Sequence, residues 1–184
     1  ALFDLTFIEA LYLNHRFNEA FAGYDEKKEK IHEKATRIDR KLYKIKKNAY
    51  KSVKNGQDEG TVVARLALER ARCPLLNREE RCDLYLYRPI TCRLYGIPMA
   101  IGGKGHTCGL SGFEEGKQYP TVNIDIIQNK LYEISAELVL ALASKYTKMG
   151  QLLVPVSMAL LTKYDEEYLG IPTKSEPDDH KGRA

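Results

Sequence analysis

The chain contains four cysteines, and all of them lie within one segment of the sequence. They are Cys73, Cys82, Cys92 and Cys108, with eight, nine and fifteen residues between successive members. Cysteine thiolates are soft ligands, and four of them complete the tetrahedral shell that zinc and iron accept. We therefore predict that these four residues bind zinc or iron, with an iron-sulfur cluster as one form of the site.

The spacing of these cysteines does not match the familiar metal motifs. The chain has no close pair of the kind that presets half the shell in zinc fingers, and no tight triple spacing of the ferredoxin kind. Two disulfides, in any of three pairings, are the alternative. Because we find no signal peptide, we expect a reducing cytoplasm, where clustered cysteines more often bind metal. Arg88 and Arg93 flank Cys92, and their charge would favour a thiolate there.

Three cysteine blocks carry a resemblance to a known family. Cys73–Leu76 (CPLL), Cys82–Tyr85 (CDLY) and Arg88–Gly96 (RPITCRLYG) resemble the C-terminal half of the YkgJ-type zinc- or iron-chelating domains. The match covers about residues 73 to 96, and the segment around Cys108 extends it in one subgroup. The resemblance implies a metal-binding domain. One relative is a flagellin lysine N-methylase, and iron-sulfur binding is associated with such proteins, which implies an enzyme, or enzyme subunit, that modifies protein lysines as an alternative function.

The sequence departs from this family at its start. The family's N-terminal cysteine motif is absent, and we expect it just upstream of a segment like Leu2–Thr6. We therefore expect the chain to be a truncated or processed product. Whether the four cysteines share one site, or some of them pair with cysteines upstream of Ala1, stays open.

Hydrophobic periodicity indicates the elements that must position the cysteines. It predicts helices over about residues 4–22, 25–54, 58–71, 123–148 and 157–168. Asp4 or Thr6, Asp58, and Asn123 or Asp125 are the expected N-terminal caps. The break between the second and third helices is so short that we expect a long antiparallel helix pair.

Residues 73–120 have a different composition from the helices. They are rich in proline and glycine, so we predict an irregular Cys/Gly/Pro-rich insert that a bound metal orders. Within it, the glycine-rich stretch 101–106 lacks the spacing and the Ser/Thr of a phosphate-binding loop. The predicted fold is a mostly α single domain over residues 1–172 with a disordered tail over 173–184.

Composition and charge limit the kinds of protein that this chain can be. A net charge of +4 and 43% hydrophobic residues fit a soluble globular domain, and no apolar run is long enough to cross a membrane. The predicted helix over 25–54 carries eight basic residues from position 37 onward against one acid, Asp39. Such a face suits an interaction module that docks an acidic partner or nucleic acid. We prefer a solvated helix face and do not expect nucleic acid, because no nucleic-acid fold signature accompanies the charges. The basic residues are Arg37, Arg40, Lys41, Lys44, Lys46, Lys47, Lys51 and Lys54.

The sequence contains no recognisable set of catalytic residues. His106 and Cys108 are too close in sequence to imply a catalytic pair, and no Ser-His-Asp pattern is recognisable. The leading prediction is therefore a cytosolic metal-binding protein whose partner is a metal ion or cluster. A protein partner remains an alternative, and the reaction and oligomeric state stay open.

Overall fold

A computed structural model describes residues 3–107, 111–114 and 116–172, and over this part the chain is mostly α-helical. Short strands and two 3-10 turns, at Tyr85–Tyr87 and Met149–Gln151, separate the helices. The predicted tail over 173–184 and Cys108 lie outside the described residues. In chain order the elements are β1 (Asp4–Thr6), α1 (Phe7–Ala20), α2 (Asp25–Lys54), α3 (Glu59–Leu68), α4 (Ile90–Leu94), β2 (Met99–Ile101), β3 (Lys104–His106), β4 (Val122–Asn123), α5 (Ile124–Ala141), β5 (Leu153–Pro155), α6 (Val156–Leu161) and α7 (Glu166–Leu169).

The N-terminal helices follow their sequence signals closely. Helix α1 begins at Phe7 rather than near residue 4, because residues 4–6 form β1, which pairs antiparallel with β5. Thr6 is the N-cap. Helix α2 has the predicted bounds, and the Asp58 carboxylate caps α3 by accepting from the Thr61 N–H at 2.8 Å. Contact between α3 and α2 includes a 3.2 Å hydrogen bond from Arg65 to the Ser52 hydroxyl.

The C-terminal helices are shorter than the periodicity predicts. Helix α5 is capped by Asn123 but ends at Ala141, because Ala143 takes a left-handed conformation with φ 48° and turns the chain. The predicted helix over 157–168 is two helices, α6 and α7. Asp165 caps α7 by accepting from the Tyr168 N–H, so a new helix starts there instead of the old one continuing.

The segment between α3 and α5 holds more regular structure than its composition suggests. It contains helix α4 and a hairpin of β2 and β3 whose turn is Gly102–Gly103, both with positive φ. Strand β4 pairs parallel with β2. The glycine-rich stretch is therefore a hairpin turn, because two left-handed residues suit the twist of paired strands.

The core joins the helices to the cysteine segment. A main cluster of buried side chains forms around α1, with contributions from α2, β5 and α6, and a smaller one lies between α1, α5 and α7. Leu75 and Leu84, on either side of Cys82, belong to the main cluster at 3% and 2% exposure. Burial of these two leucines fixes the loops that carry Cys73 and Cys82 to the helical body.

The helices are too short or too polar for a bilayer. Across the described residues, none combines the length and the apolar character that a membrane span requires.

Candidate metal centre

Three of the four predicted ligands line one cavity. Cys73, Cys82 and Cys92 come from three separate segments and border a cavity of about 840 Å³. All three are half-buried free thiols. Leu13 of α1 and Val156 at the start of α6 also line the cavity, so it lies against the helical core. The fourth predicted ligand, Cys108, lies outside the described residues.

Cys73 sits at the start of a tight turn. The Leu76 N–H donates to the Cys73 carbonyl at 3.1 Å, which closes the turn over Pro74 and Leu75. The backbone N–H groups of Leu75 and Leu76 lower the pKa of the Cys73 thiol, although less than burial raises it. Backbone donors aimed at sulfur are the groups that tune thiolate centres, because they stabilise negative charge on the sulfur.

Cys82 is placed by a short hairpin that follows this turn. Leu76 and Cys82 form an antiparallel bridge, and the Asp83 N–H donates to the Leu75 carbonyl at 2.9 Å. The Asn77 side chain closes the loop, since its Oδ1 accepts from the N–H groups of Glu79 at 3.1 Å and Arg81 at 2.9 Å. The Leu84 N–H lowers the pKa of the Cys82 thiol in the same way.

Cys92 lies on α4, which a buried carboxylate ties to α1. Glu9 Oε1 accepts from the Ile90 N–H at 2.9 Å, in the first turn of α4. The other oxygen, Oε2, accepts from the Thr6 N–H at 3.2 Å and the Thr6 hydroxyl at 2.9 Å. Glu9 therefore caps α1 and positions α4 at the same time.

Glu9 was not among the residues that the cysteine pattern indicates. Its local role has a sequence signal, because Thr-x-x-Glu before an apolar run is the pattern of a capping box. Its second bond, to a residue 81 positions along the chain, has no local signal. Only the tertiary fold brings α4 to this carboxylate.

Burial dominates the electrostatics of the three thiols. It raises the pKa of Cys73 and of Cys82 above the ordinary range, against the lowering effect of their backbone donors. Burial, reinforced by the two neighbouring thiols and Glu9, raises the pKa of Cys92 to about 12. In the metal-free protein these thiols are therefore neutral at pH 7.

The two arginines that flank Cys92 in the sequence have different roles. Arg88 does lower the pKa of Cys92 and of Cys82, but by less than burial raises them. Arg93 instead donates its Nε–H to the Arg88 carbonyl at 2.8 Å, and its guanidinium also bonds the Leu86 carbonyl. The expected effect of positive charge is therefore present for Arg88, but burial outweighs it, and Arg93 donates to backbone carbonyls instead.

The rim of the cavity carries aromatic rings and side chains of both charges. Tyr85 and Tyr95 line it and remain 59% and 57% exposed. The Arg88 guanidinium lies over the Tyr85 ring, 3.7 Å from its centroid, and its Nε–H donates to the Tyr85 carbonyl at 3.1 Å. Arg88 is thereby held beside the thiols, where its charge compensates sulfur that loses its proton.

The thiols share a cavity without surrounding one ion position. Among the described residues, no three His, Cys, Asp or Glu side chains form a group that could hold a single metal ion. The chemistry of the donors thus fits a soft metal, but the three described thiols do not by themselves form a site for a single ion.

The cavity and its lining residues are the basis for a functional assignment. No protein-family model, no curated protein and no solved structure matches the chain.

Proposed function

We propose that the chain is a cytoplasmic metal-binding protein in which Cys73, Cys82, Cys92 and Cys108 hold an iron-based or zinc centre. The observation that carries this proposal is the convergence of three thiols from separate segments on one cavity. A disulfide framework is disfavoured, because the three described cysteines are free although they lie close enough to influence one another's pKa.

The surroundings of the thiols suit a metal better than they suit inert buried cysteines. An inert cysteine needs no donors, but backbone N–H groups lower the pKa of both Cys73 and Cys82. Such donors matter most when the sulfur is ionised, and a bound cation ionises it by displacing the proton. Arg88 compensates part of the negative charge that three thiolates would bring together.

Zinc and an iron-sulfur cluster are both candidates for this centre. Cysteine thiolates ligate either one, and three thiols that border a cavity of about 840 Å³ suit both. When bound, such a centre would supply either rigidity to the loops or one-electron chemistry.

Two finer aspects of the fold belong to the same proposal. Segment 73–120 would act as the metal-binding insert, and an antiparallel pair of α2 and α3 would support it, since the cavity borders the turn that follows α3. The order of the cysteine blocks in the YkgJ-type domains supports this proposal by resemblance alone. The resemblance also leaves a lysine-modifying enzyme as the alternative function.

The decisive experiment is metal analysis of the full chain purified without oxygen from cells supplied with iron and zinc. Iron and acid-labile sulfide in equal amounts, with broad visible absorption, would identify a cluster. A colourless protein with one zinc per chain would identify a zinc centre. Protein free of both metals, with all four thiols titratable, would overturn the proposal.

Single substitutions identify the ligands. Cys73→Ser, Cys82→Ser and Cys92→Ser should each lose most of the bound metal, and Cys108→Ser tests the fourth ligand directly. Asn48→Ser, an exposed change on α2, is the control and should keep the metal. Far-UV circular dichroism separates loss of metal from loss of fold.

A further inference from the structure

The C-terminal half of α2 carries positive charge without negative charge. From Arg40 to Lys54 it has seven basic residues and no acidic one, whereas residues 25–39 mix both signs. Asp39 lies at the boundary and its carboxylate accepts from the Ser157 hydroxyl at 3.1 Å, so it faces α6. The positive half of the helix therefore has no carboxylate of its own to neutralise it.

The basic residues concentrate on the face of α2 opposite the core. Leu42 and Ala49 are buried, so helical periodicity places residues 40, 44, 47 and 51 on the opposite side. All four of these residues are exposed cations: Arg40, Lys44, Lys47 and Lys51. Together with Tyr43 and Tyr50 they form what we call the outer stripe, about 17 Å long at the helical rise.

The two tyrosines of the outer stripe are unusually exposed to solvent. Tyr43 and Tyr50 are 63% and 69% exposed, one on each side of Lys47 along the helix. Lys47 lies 5.4 Å from the centroid of the Tyr43 ring. Rings this exposed contribute little to the core, and they leave aromatic faces available beside the cations.

Neighbouring lysines on the flanks of α2 are used within the chain. Lys46 pairs with Asp4 at 2.5 Å, and Lys41 donates to the Arg70 carbonyl at 2.7 Å. By contrast, no ion pair involves Arg40, Lys44, Lys47 or Lys51 within the part of the chain that the structure describes. The outer stripe thus presents charge that the fold itself does not compensate.

We propose that the outer stripe binds single-stranded nucleic acid. A row of cations with interleaved open aromatic rings is how proteins hold single strands, because the cations follow the phosphates and the rings stack on bases. The same face of a second copy of the chain is repelled by like charge. An acidic protein would satisfy the cations but has no use for the tyrosine faces, so a nucleic acid accounts for more of the surface. This inference does not depend on the metal centre.

The test uses the full chain and fluorescein-labelled oligothymidine and oligouridine, each 20 nucleotides long, with binding read by fluorescence anisotropy. We expect binding whose affinity falls linearly with the logarithm of salt concentration. Lys44→Glu, Lys47→Glu and Lys51→Glu together should weaken it at least about tenfold and flatten the salt dependence. Equal affinity of this variant and the wild type would overturn the proposal.

A second triple variant controls for net charge. Lys104→Glu, Lys148→Glu and Lys163→Glu change the net charge by the same amount on exposed residues outside α2, and this variant should bind almost as the wild type does. Equal weakening by both triples would overturn the proposal, because only the overall charge would then matter. The two oligonucleotides together distinguish RNA from DNA as the preferred ligand.

The tyrosines separate nucleic acid from other polyanions. Tyr43→Ala and Tyr50→Ala leave the charge unchanged and should each weaken oligonucleotide binding about fivefold or more through lost stacking. Polyglutamate of similar length is the competing probe and should bind more weakly, with no dependence on the tyrosines. Polyglutamate binding as tight as oligonucleotide binding, unaffected by the tyrosine variants, would identify an acidic protein surface as the partner and overturn the proposal.

Discussion

The Glu9 carboxylate and the Ile90 N–H are 2.9 Å apart, although 81 residues separate them in the chain. Glu9 lies in the first turn of α1 and Ile90 opens α4, the helix that carries Cys92. One buried side chain therefore joins the central helix of the core to the cavity of the thiols. This bond makes the position of Cys92 depend on the capping of α1.

Replacing this carboxylate should affect both stability and the thiol cavity. Glu9→Ala removes three hydrogen bonds, two to Thr6 and one to Ile90, and leaves buried donors unpaired. We expect a loss of about 1–3 kcal/mol in the free energy of unfolding, measured by urea denaturation. Glu19→Ala, which removes an exposed carboxylate from the same helix, should cost less than about 0.5 kcal/mol. Equal effects of the two variants would contradict the bridging role.

The raised pKa of Cys92 predicts how metal-free protein responds to alkaline pH. The unfolded thiol ionises near pH 9, whereas the folded one does so near pH 12. The proton is therefore held more tightly in the folded state, so stability is complete below pH 9 and is lost as pH rises from 9 towards 12. Cys92→Ser should show a shallower loss of stability over that range. Urea midpoints of both proteins at several pH values measure the difference.

The same burial predicts slow chemical modification. At pH 7.5 the metal-free protein should react with iodoacetamide at Cys92 far more slowly than a free thiol does, because only the thiolate is nucleophilic. Mass spectrometry of the digested protein locates the modified residue. Rapid alkylation of Cys92 in folded protein would contradict its burial.

Metal loading should be visible at the backbone donors of the thiols. The Leu75 N–H lowers the pKa of Cys73, and the Leu84 N–H lowers that of Cys82. A metal-bound thiolate accepts a hydrogen bond more strongly than a neutral thiol, so these two amides should exchange with deuterium more slowly in loaded protein. The Tyr87 N–H, which donates to the Leu84 carbonyl at 2.9 Å, is a nearby control. Uniform slowing of all three amides would indicate general rigidity instead.

Gly150 should not tolerate a side chain. A Cβ at this position would lie 3.0 Å from the Ala136 backbone of α5, which cannot move away without shifting the helix. We expect Gly150→Ala to lower the free energy of unfolding by about 1–3 kcal/mol. Gly105 has open space around it and a φ that other residues adopt, so Gly105→Ala is the matched control. Thermal unfolding followed by circular dichroism compares the two variants.

The helices with strong local signals were predictable from the sequence. Helix α2 has apolar residues at helical spacing and Asn55-Gly56 beyond its end, and its observed bounds are those predicted. Thr6, Asp58 and Asn123 act as the expected caps, because a cap depends on groups only a few residues away. The ends of α5 and α1 were not predictable to the same degree. Pairing of β1 with β5 and the left-handed Ala143 depend on distant parts of the chain or on a rare backbone conformation.

The candidate site, too, was predictable from the sequence only in part. Local sequence indicated Cys73, Cys82 and Cys92 as candidate ligands, since residue type and clustering are properties of the sequence. Their pKa values and their common cavity were decided by tertiary structure, because burial depends on how Leu75 and Leu84 pack against α1. For this reason burial outweighs the lowering effect of Arg88 on the pKa of Cys92, a balance that the sequence does not show.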